Sequence, residues 1–288
     1  MKLWAISDLH VGYRANRELL SGLSARPDDW VILAGDVGET TEHLRWAIDL
    51  FQSRFARVLW VPGNHELWTS EEGGARLGGA DKYAALVELC RARGVSTPED
   101  PWPVWPGEGG PHVIALMALL FDYSLAPAGL DRAGAVAWAA EDGTVSADEV
   151  RLDPTPHPDI ATWCAERLQR TAARLADAGG AATVLVNHWP LHDGLIHIPR
   201  VPRFLPWCGT VATRDWHRRH RAGVVVSGHL HTRRTDWVDG VRFEEVSLGY
   251  PRQHRPGLRA DGYVRQVLPE PPPHDGPADR WIGPRPGA

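Results

Sequence analysis

Apolar runs and polar loops follow one another in a regular order along the first 66 residues of the chain. Residues 2–7, 30–34 and 57–61 are short apolar runs, and residues 30–34 have the continuous pattern of a strand buried on both faces. Residues 16–25 and 41–53 lie between these runs and carry apolar side chains at helical spacing. Alternating strands and helices of this kind predict βαβ units around a parallel sheet.

The rest of the chain is less regular but also predicts an α/β arrangement. Helices are predicted over 82–93 and 160–176, and strands over 112–120, 183–186, 223–227 and 241–246. Residues 122–158 carry Pro, Gly and short acidic pieces, and we expect an insertion that packs over the rim of a site. Residues 269–288 have too little apolar content to pack and are expected to be disordered, which leaves 1–268 as the folded domain.

Composition and charge exclude several classes of protein. With 288 residues and 43% hydrophobic content, the chain can form one large domain or two small ones. A formal charge of −5 argues against nucleic-acid binding by a broad basic surface. The sequence has no apolar run near the roughly 20 residues of a membrane span, and its start has no signal-peptide pattern. Three scattered cysteines without a CxxC pair suit a reducing compartment, so we expect a cytoplasmic protein.

Side chains that bind metals are concentrated in five short segments, and four of these segments follow an apolar run. The segments are Asp8-Leu9-His10, Gly35-Asp36, Gly63-Asn64-His65-Glu66, Asn187-His188 and Gly228-His229-Leu230-His231. The ends of neighbouring strands are where a sheet of this type holds its ligands. Seven donors are too many for one ion, so the segments predict two ions. The seven are Asp8, His10, Asp36, Asn64, His188, His229 and His231. Mixed carboxylate and imidazole ligation suits manganese, iron or zinc and does not choose among them.

The order DxH, GDxx, GNHE, single His and GHxH resembles the calcineurin-like metallophosphoesterase superfamily, over roughly residues 1–250. The resemblance implies an α/β fold of four layers, an αββα sandwich in which two central mixed sheets are flanked by helices. It also implies that 1–268 is a catalytic domain for phosphoester hydrolysis. Such a domain uses two metal ions, manganese or iron in preference to zinc, and a hydroxide that bridges them as the nucleophile.

The resemblance further implies a role for each donor. The first ion is assigned to Asp8, His10, Asp36 and His231, and the second to Asp36, Asn64, His188 and His229. His65 is expected to contact the substrate phosphate and to assist departure of the leaving oxygen. Glu39 occupies the place of a carboxylate that orients this histidine, although a solvated carboxylate at the start of a helix is the alternative interpretation.

The resemblance narrows the substrate without fixing it. Protein phosphatases of this superfamily have an arginine where this chain has Thr40, which argues against that class. The stretches AISDLHVGYR, VPGNHELWT and FEEVSLGYPRQ look like an actinobacterial-type branch that includes a hydrolase acting on the 4′-phosphopantetheine arm of holo-acyl carrier protein. We take that phosphodiester as the hypothesis. The alternatives are nucleotides or other small phosphoesters, and a catalytically inactive metal-binding interaction protein.

A basic cluster gives a candidate contact for an acidic carrier protein. It consists of Arg214, Arg218, Arg219 and Arg221 in the stretch TRDWHRRHRAG. A solvated helix face explains the same pattern without a partner. His192 and His197, in the loop after His188, are candidates for the wall of the substrate cleft, and so is Trp68, for which core packing is the alternative.

Overall fold

Two β-sheets lie face to face at the centre of the protein. The computed structural model describes residues 1–72, 75–271 and 280–283. The strands are β1 (Leu3–Ile6), β2 (Arg26–Ala34), β3 (Phe55–Val61), β4 (Ser70–Glu72), β5 (Ala75–Leu77), β6 (Val104–Trp105), β7 (His112–Leu116), β8 (Thr183–Val186), β9 (Ala222–Ser227), β10 (Arg234–Val238), β11 (Val241–Glu245), β12 (Arg265–Leu268) and β13 (Trp281–Ile282).

The helices are α1 (Arg14–Ser21), α2 (Thr41–Gln52), α3 (Asn64–Leu67), α4 (Gly79–Arg91), α5 (Arg132–Ala140), α6 (Asp148–Arg151), α7 (Ile160–Asp177) and α8 (Trp216–Arg219). Helices α2 and α7 pack on the outer faces of the two sheets. Among the helices described, none is both long enough and apolar enough to cross a lipid bilayer.

Each sheet mixes parallel and antiparallel pairs. The first sheet has the order β12-β1-β2-β3, in which β1, β2 and β3 are parallel and β12 is antiparallel to β1. The second has the order β13-β10-β11-β9-β8-β7-β6 and is parallel from β7 through β8 and β9 to β11. Because β1, β2 and β3 run in one direction, the loops that follow them leave the sheet at the same edge.

Apolar side chains between the sheets form a continuous core. The inner faces contribute Leu3, Ala5, Ile32, Leu59, Val184, Val224 and Val226 to one buried cluster. On the outer face of the first sheet, Trp60 belongs to the same buried cluster as Ile48 of α2. On the outer face of the second sheet, Leu185 clusters with Leu175 of α7. The predicted four-layer αββα sandwich is therefore confirmed.

The strand predicted over 112–120 ends earlier than the sequence pattern suggests. Residues 117–121 are fully buried but lie outside the sheet, because the neighbouring strand β8 ends at Val186. The Asn187 side chain takes over as a hydrogen-bond acceptor, and its Oδ1 accepts the Leu119 N–H at 2.9 Å. A continuous apolar run cannot distinguish this buried loop from a strand.

Some elements escaped the sequence analysis because they are short or polar. Strands β10 and β12 contain polar side chains on both sides, and they are placed by pairing with β11 and β1. The predicted insertion 122–158 contains helices α5 and α6. Neither helix has a long amphipathic pattern that could have identified it.

Residues 280–283 lie in the segment that the sequence predicts to be disordered, and the structure places two of them in strand β13 of the second sheet. Strand β13 pairs in parallel with the edge strand β10. The Trp281 ring lies 3.4 Å from the guanidinium of Arg234. The edge strand β10 has unpaired backbone groups that can hydrogen-bond to a further strand. Amino-acid composition cannot reveal such a pairing, because the partner lies far away in the sequence. The predictions for 272–279 and 284–288 lie outside the described residues.

A buried group of charges joins the two sheets near this edge. Glu244 of β11 accepts hydrogen bonds from Arg242 at 2.9 Å, from Arg265 of β12 at 2.9 Å and from Arg280 at 3.2 Å. Strand β12 belongs to the first sheet and β11 to the second. The carboxylate is fully buried, so the arginines supply the compensating charge that such burial requires.

Candidate active site

The five segments with metal-binding side chains meet at one edge of the sandwich. Loops after β1 and β2 carry Asp8 and Asp36, and Asn64 begins the helix that follows β3. The second sheet contributes His188 after β8, and His229 together with His231 after β9. The structure thus brings together all the metal ligands that the sequence predicts, from strands of both sheets.

Several of these side chains are held by an unusual backbone conformation. Asp8, His10, Asp36, His229 and His231 all have positive φ, between 41° and 70°. This left-handed region is sterically unfavourable for residues with a Cβ atom and is enriched at functional sites. The conformation turns the chain sharply as it leaves each strand, so that a ligand at the end of a strand faces the centre of the site.

Two glycines allow the segments to approach each other closely. A Cβ atom at Gly63 would overlap the Asp36 carboxylate, and a Cβ atom at Gly228 would overlap the side chains of Ser7 and Asp8. Any larger residue at either position would push a carboxylate out of place. This explains the glycine that precedes Asn64 and the glycine that precedes His229.

One group of donors surrounds Asp8. His231 Nε2 lies 2.8 Å from Asp8 Oδ1 and 3.3 Å from His10 Nε2. Ligand atoms of these three residues lie within 4.8 Å of one another, which is close enough to hold one ion. The other oxygen, Asp8 Oδ2, accepts the Ser247 hydroxyl at 2.7 Å, so the carboxylate is fixed with Oδ1 towards the histidines.

A second group of donors surrounds Asp36. His188 Nε2 lies 3.4 Å from Asp36 Oδ2, and His229 Nδ1 lies 3.3 Å from Asn64 Oδ1. His188 Nε2 is buried and has no hydrogen-bond partner among the described residues, whereas His229 faces the group with its Nδ1. Buried nitrogen lone pairs without partners are costly in a folded protein unless they bind something. These atoms fit a metal ligand set.

Outer hydrogen bonds set the orientation of two histidines. His188 Nδ1 lies 2.9 Å from the Ala34 carbonyl oxygen, and His231 Nδ1 lies 2.8 Å from Gln253 Oε1. In each case the Nδ1–H donates outward, which leaves Nε2 directed into the site. Metal-binding histidines are usually held in this way. The sequence motifs do not single out Gln253 or Ser247, although both residues lie within the stretch FEEVSLGYPRQ.

Charge around Asp36 is balanced by its histidine neighbours. Burial alone would raise the pKa of Asp36, but His188 and His65 outweigh it and hold this pKa well below its usual range. Burial alone would lower the pKa of His188, yet the Asp36 carboxylate raises it to about 10. The carboxylate is therefore an anion that attracts positive charge, whether a proton on His188 or a metal ion.

Asp8 and His231 form a pair of opposite charges like that of Asp36 and His188. Burial acts against the ionised form of the carboxyl group, but His231 overcomes this and lowers the pKa of Asp8. Burial likewise opposes protonation of His231, whereas Asp8 raises the pKa of this histidine to about 9. Burial lowers the pKa of His10 and of His229 to about 3. His10 and His229 are thus neutral imidazoles, the form that binds metal ions.

His65 lies beside the donors but has different surroundings. Its ring lies against Trp68 with a centroid separation of 3.7 Å and a tilt of 32° between the ring planes, and it meets His10 edge-on at 4.6 Å. His65 Nδ1 lies 3.5 Å from Glu39 Oε1, and Nε2 lies 3.8 Å from Asp36 Oδ2. Glu39 is therefore near enough to attract and orient the imidazole, but the distance is long for a strong hydrogen bond.

Glu66, the last residue of the GNHE motif, holds two of the loops together. Its buried carboxylate accepts the N–H groups of Asp36 at 2.9 Å, of Val37 at 2.7 Å and of Gly63 at 2.9 Å. Burial, with a smaller contribution from Asp36, raises the pKa of Glu66 to about 7. Glu66 thus fixes the backbone that presents Asp36, and it is a structural residue of the motif.

The site lies in an open pocket of about 620 Å³, a volume within the range of small-molecule sites. Its lining includes His65, Trp68, Asp148, Arg200, Phe204, Tyr250 and Arg252. Of the sequence candidates for a cleft wall, Trp68 lines this pocket, His197 lines an adjoining cavity and His192 lines a separate small cavity.

A family model described as calcineurin-like phosphoesterase matches residues 1–233. The chain belongs to the calcineurin-like phosphoesterase family. Calcineurin-like phosphoesterases use dinuclear metal sites, and the carboxylate and imidazole groups at the sheet edge could hold such ions.

One branch of the calcineurin-like phosphoesterases is close to this chain. The chain is 49% identical over 272 residues to the [acyl-carrier-protein] phosphodiesterase PptH of Mycobacterium tuberculosis, covering 93% of this chain and 84% of that protein. It is also similar to the crystal structure of phosphopantetheinyl hydrolase (PptH) from Mycobacterium tuberculosis. That match has a TM-score of 0.88 and 48% identity, and covers 94% of this chain and 96% of the other.

Sequence reasoning missed one acidic residue at the site of this calcineurin-like phosphoesterase. Asp148, at the start of α6, is buried, and its Oδ1 accepts the Asn64 amide N–H at 3.0 Å and the Trp68 indole N–H at 2.6 Å. The first bond fixes the Asn64 amide with its oxygen turned the other way, towards His229. No motif marks Asp148, because it comes from the insertion and reaches the site only through the tertiary fold.

We expect Asp148→Ala to weaken metal binding by about 10- to 100-fold, since outer partners of ligands typically contribute that much. Without Asp148 the Asn64 amide is free to rotate its oxygen away. Titration with Mn²⁺ against a fluorescent chelator measures the affinity. Val150→Ala, at an exposed position of the same helix, is the matched control. Metal affinity equal to that of the control would contradict this role.

Proposed function

We propose that this protein hydrolyses the phosphodiester that joins a serine of an acyl carrier protein to 4′-phosphopantetheine. The observation that carries the proposal is a cluster of metal-binding side chains that opens into a pocket through Asp36, Asn64, His229 and His231, in a chain 49% identical to a protein named as an acyl-carrier-protein phosphodiesterase. In the reaction, water adds to phosphorus and the bond to the serine oxygen breaks. Serine gains a proton, and the phosphate remains on pantetheine.

We propose Asp8, His10, Asp36 and His231 as ligands of one ion, and Asp36, Asn64, His188 and His229 as ligands of the other, with manganese or iron as the metals. This division is supported by the distances around Asp8, by the unpaired Nε2 of His188 beside Asp36 and by the Nδ1 of His229 beside Asn64. Two such ions, when bound, polarise a phosphoryl group and activate water at neutral pH. Asp36 is the one carboxylate proposed to belong to both groups of donors.

His65 is proposed to act on the leaving group. Its ring lines the pocket and is held by contact with the Trp68 ring. From this position, an imidazole N–H can donate a hydrogen bond to the phosphate or a proton to the departing serine oxygen. Glu39, at 3.5 Å, is proposed to keep the imidazole in the required orientation.

Thr40 argues against the substrates of protein phosphatases, which are phosphate monoesters on protein side chains. Its Oγ1 accepts the His43 N–H at 3.2 Å and caps the N-terminus of α2. The side chain at this position is thus part of a helix cap. It has neither the charge nor the reach of the arginine that protein phosphatases use to bind phosphate.

Docking of an acidic carrier protein is proposed to involve arginines at the pocket mouth. Arg200 and Arg252 are exposed and line the catalytic pocket. In the cluster predicted from sequence, Arg214 forms hydrogen bonds of 2.5 and 2.6 Å to Asp193, Arg218 lies 3.4 Å from Asp239, and Arg219 lies 3.6 Å from Asp215; Arg221 is exposed. The predicted cluster is therefore proposed only as an outlying contact.

The compartment stays a prediction, and we propose the cytoplasm. Cys90, Cys164 and Cys208 are buried free thiols, which supports a reducing environment.

Incubation with holo-acyl carrier protein tests the substrate directly. We expect the manganese-loaded protein to lower the mass of the carrier protein by one phosphopantetheinyl group, as measured by mass spectrometry. The Asp36→Ala variant is the control, because it lacks the carboxylate shared by both ions. If the enzyme hydrolyses bis-p-nitrophenyl phosphate but leaves the mass of the carrier protein unchanged, the substrate is a nucleotide or another small phosphoester. No hydrolysis of any phosphoester would support a metal-binding interaction protein.

Charge reversal tests the docking surface. Arg200→Glu should raise KM for holo-acyl carrier protein about tenfold, because it places a carboxylate where an acidic partner approaches. Arg218→Glu is the matched substitution in the predicted cluster and should have a smaller effect. Steady-state kinetics at low ionic strength measures both values. The opposite ranking would move the docking surface to the cluster.

Two further variants separate metal binding from leaving-group assistance. His65→Ala should lower kcat at least 100-fold and leave about two metal ions per chain, because His65 is proposed to act on the substrate. Asp36→Ala should lose both ions, since its carboxylate belongs to both groups of donors. Elemental analysis of the purified variants gives the metal content. Loss of metal from His65→Ala would show that His65 is a ligand.

A further inference from the structure

A second cavity, of about 630 Å³, lies beside the catalytic pocket. We call it the side groove, and its lining includes Ile196, Ile198, Pro202, Leu205, Thr232 and Arg234. Each of these residues lies outside the metal-binding segments. The side groove is as large as the catalytic pocket, and nothing in the proposed chemistry at the metals accounts for it.

The side groove is continuous with the catalytic pocket along two chain segments. Ile198 lines both cavities. In the next turn, Phe204 faces the catalytic pocket and Leu205 faces the groove. After β9, His231 lines the pocket and Thr232 lines the groove. A flexible chain attached to a phosphate at the metals can therefore enter the groove without leaving the surface of the protein.

The lining of the side groove suits an uncharged chain that carries hydrogen-bonding groups. Its walls are mostly aliphatic, which favours burial of carbon atoms. The charge of Arg234 is balanced by Asp236, to which it bonds at 3.1 Å, and its guanidinium lies against the Trp281 ring. The Thr232 hydroxyl is buried without a hydrogen-bond partner among the described residues. Thr232 itself lines the groove, so rotation about its Cα–Cβ bond to another staggered rotamer would present the hydroxyl to an amide of a ligand.

We infer that the side groove binds the pantetheine arm of the substrate while the phosphodiester lies at the metals. The inference rests on the proposed function. Pantetheine is an uncharged chain with methyl groups, two amides, a hydroxyl and a terminal thiol, which matches aliphatic walls with the free hydroxyl of Thr232 between them. The carrier protein, bound on the other side of the phosphorus, then faces Arg200 and Arg252 at the mouth of the catalytic pocket.

The test compares binding of 4′-phosphopantetheine, the reaction product, with binding of inorganic phosphate by isothermal titration calorimetry on the manganese-loaded protein. Phosphopantetheine should bind the wild-type protein at least tenfold more tightly than phosphate, because the arm adds contacts in the groove. Ile196→Glu places a carboxylate in the groove and should abolish this advantage. Val211→Glu makes the same change at an exposed apolar position that does not line the groove, and it should keep the advantage.

A conservative variant keeps the test valid if Ile196→Glu fails to fold. Thr232→Val removes only the hydroxyl, which has no partner to lose within the described part of the protein. It should weaken phosphopantetheine binding about fivefold and leave phosphate binding unchanged, as expected for one lost hydrogen bond.

Three outcomes would be decisive. If phosphopantetheine binds no more tightly than phosphate, or if both groove variants bind it like the wild type, the side groove does not hold the arm. If Ile196→Glu weakens only the binding of the whole carrier protein, the groove contacts a segment of that protein, and the inference is wrong. If the wild type binds phosphopantetheine as expected but releases none from holo-carrier protein, the proposed function fails and the groove assignment stands.

Discussion

Two buried carboxylates, Asp8 and Asp36, are the constraint on which the rest of the site depends. An ionised carboxylate without compensation is costly inside a protein, and both pKa values are nevertheless lowered. The compensation comes from histidines that later strands deliver, with His231 beside Asp8 and His188 beside Asp36. The two carboxylates, together with the neutral imidazoles of His10 and His229, also form a set of ligands that attracts metal cations.

The fold holds these groups together against their own conformational preferences. Five donors have positive φ, and glycines precede two of the segments where a Cβ atom would displace a carboxylate. Glu66 ties the loop of Asp36 to the loop of Gly63 through backbone N–H groups. This rigidity is useful at a site that must hold ligands in a fixed geometry before metal or substrate arrives.

The parts of the chain around this rigid centre shape the cavities beside it. Asp148, from the insertion, orients the Asn64 amide, and the segment 196–205 lines both the catalytic pocket and the side groove. Trp281 of the last strand packs on Arg234 of the groove. Loops on a fixed scaffold commonly set which substrate a fold accepts, and here they provide one cavity for the phosphodiester and another for the arm.

Apolar periodicity in the sequence predicted the alternating strands and helices, and the chemistry of five short segments predicted the metal ligands, because both are local properties. The arrangement in two sheets and the roles of His65 and Glu39 were predicted from the resemblance of these motifs to a known superfamily. Only the tertiary structure decided which residues join that site from a distance. Asp148 and Trp281 carry no local signal, since their roles depend on contacts far along the chain. The early end of β7 and the pairing of β13 likewise depend on the neighbouring strands, which a pattern along one segment cannot contain.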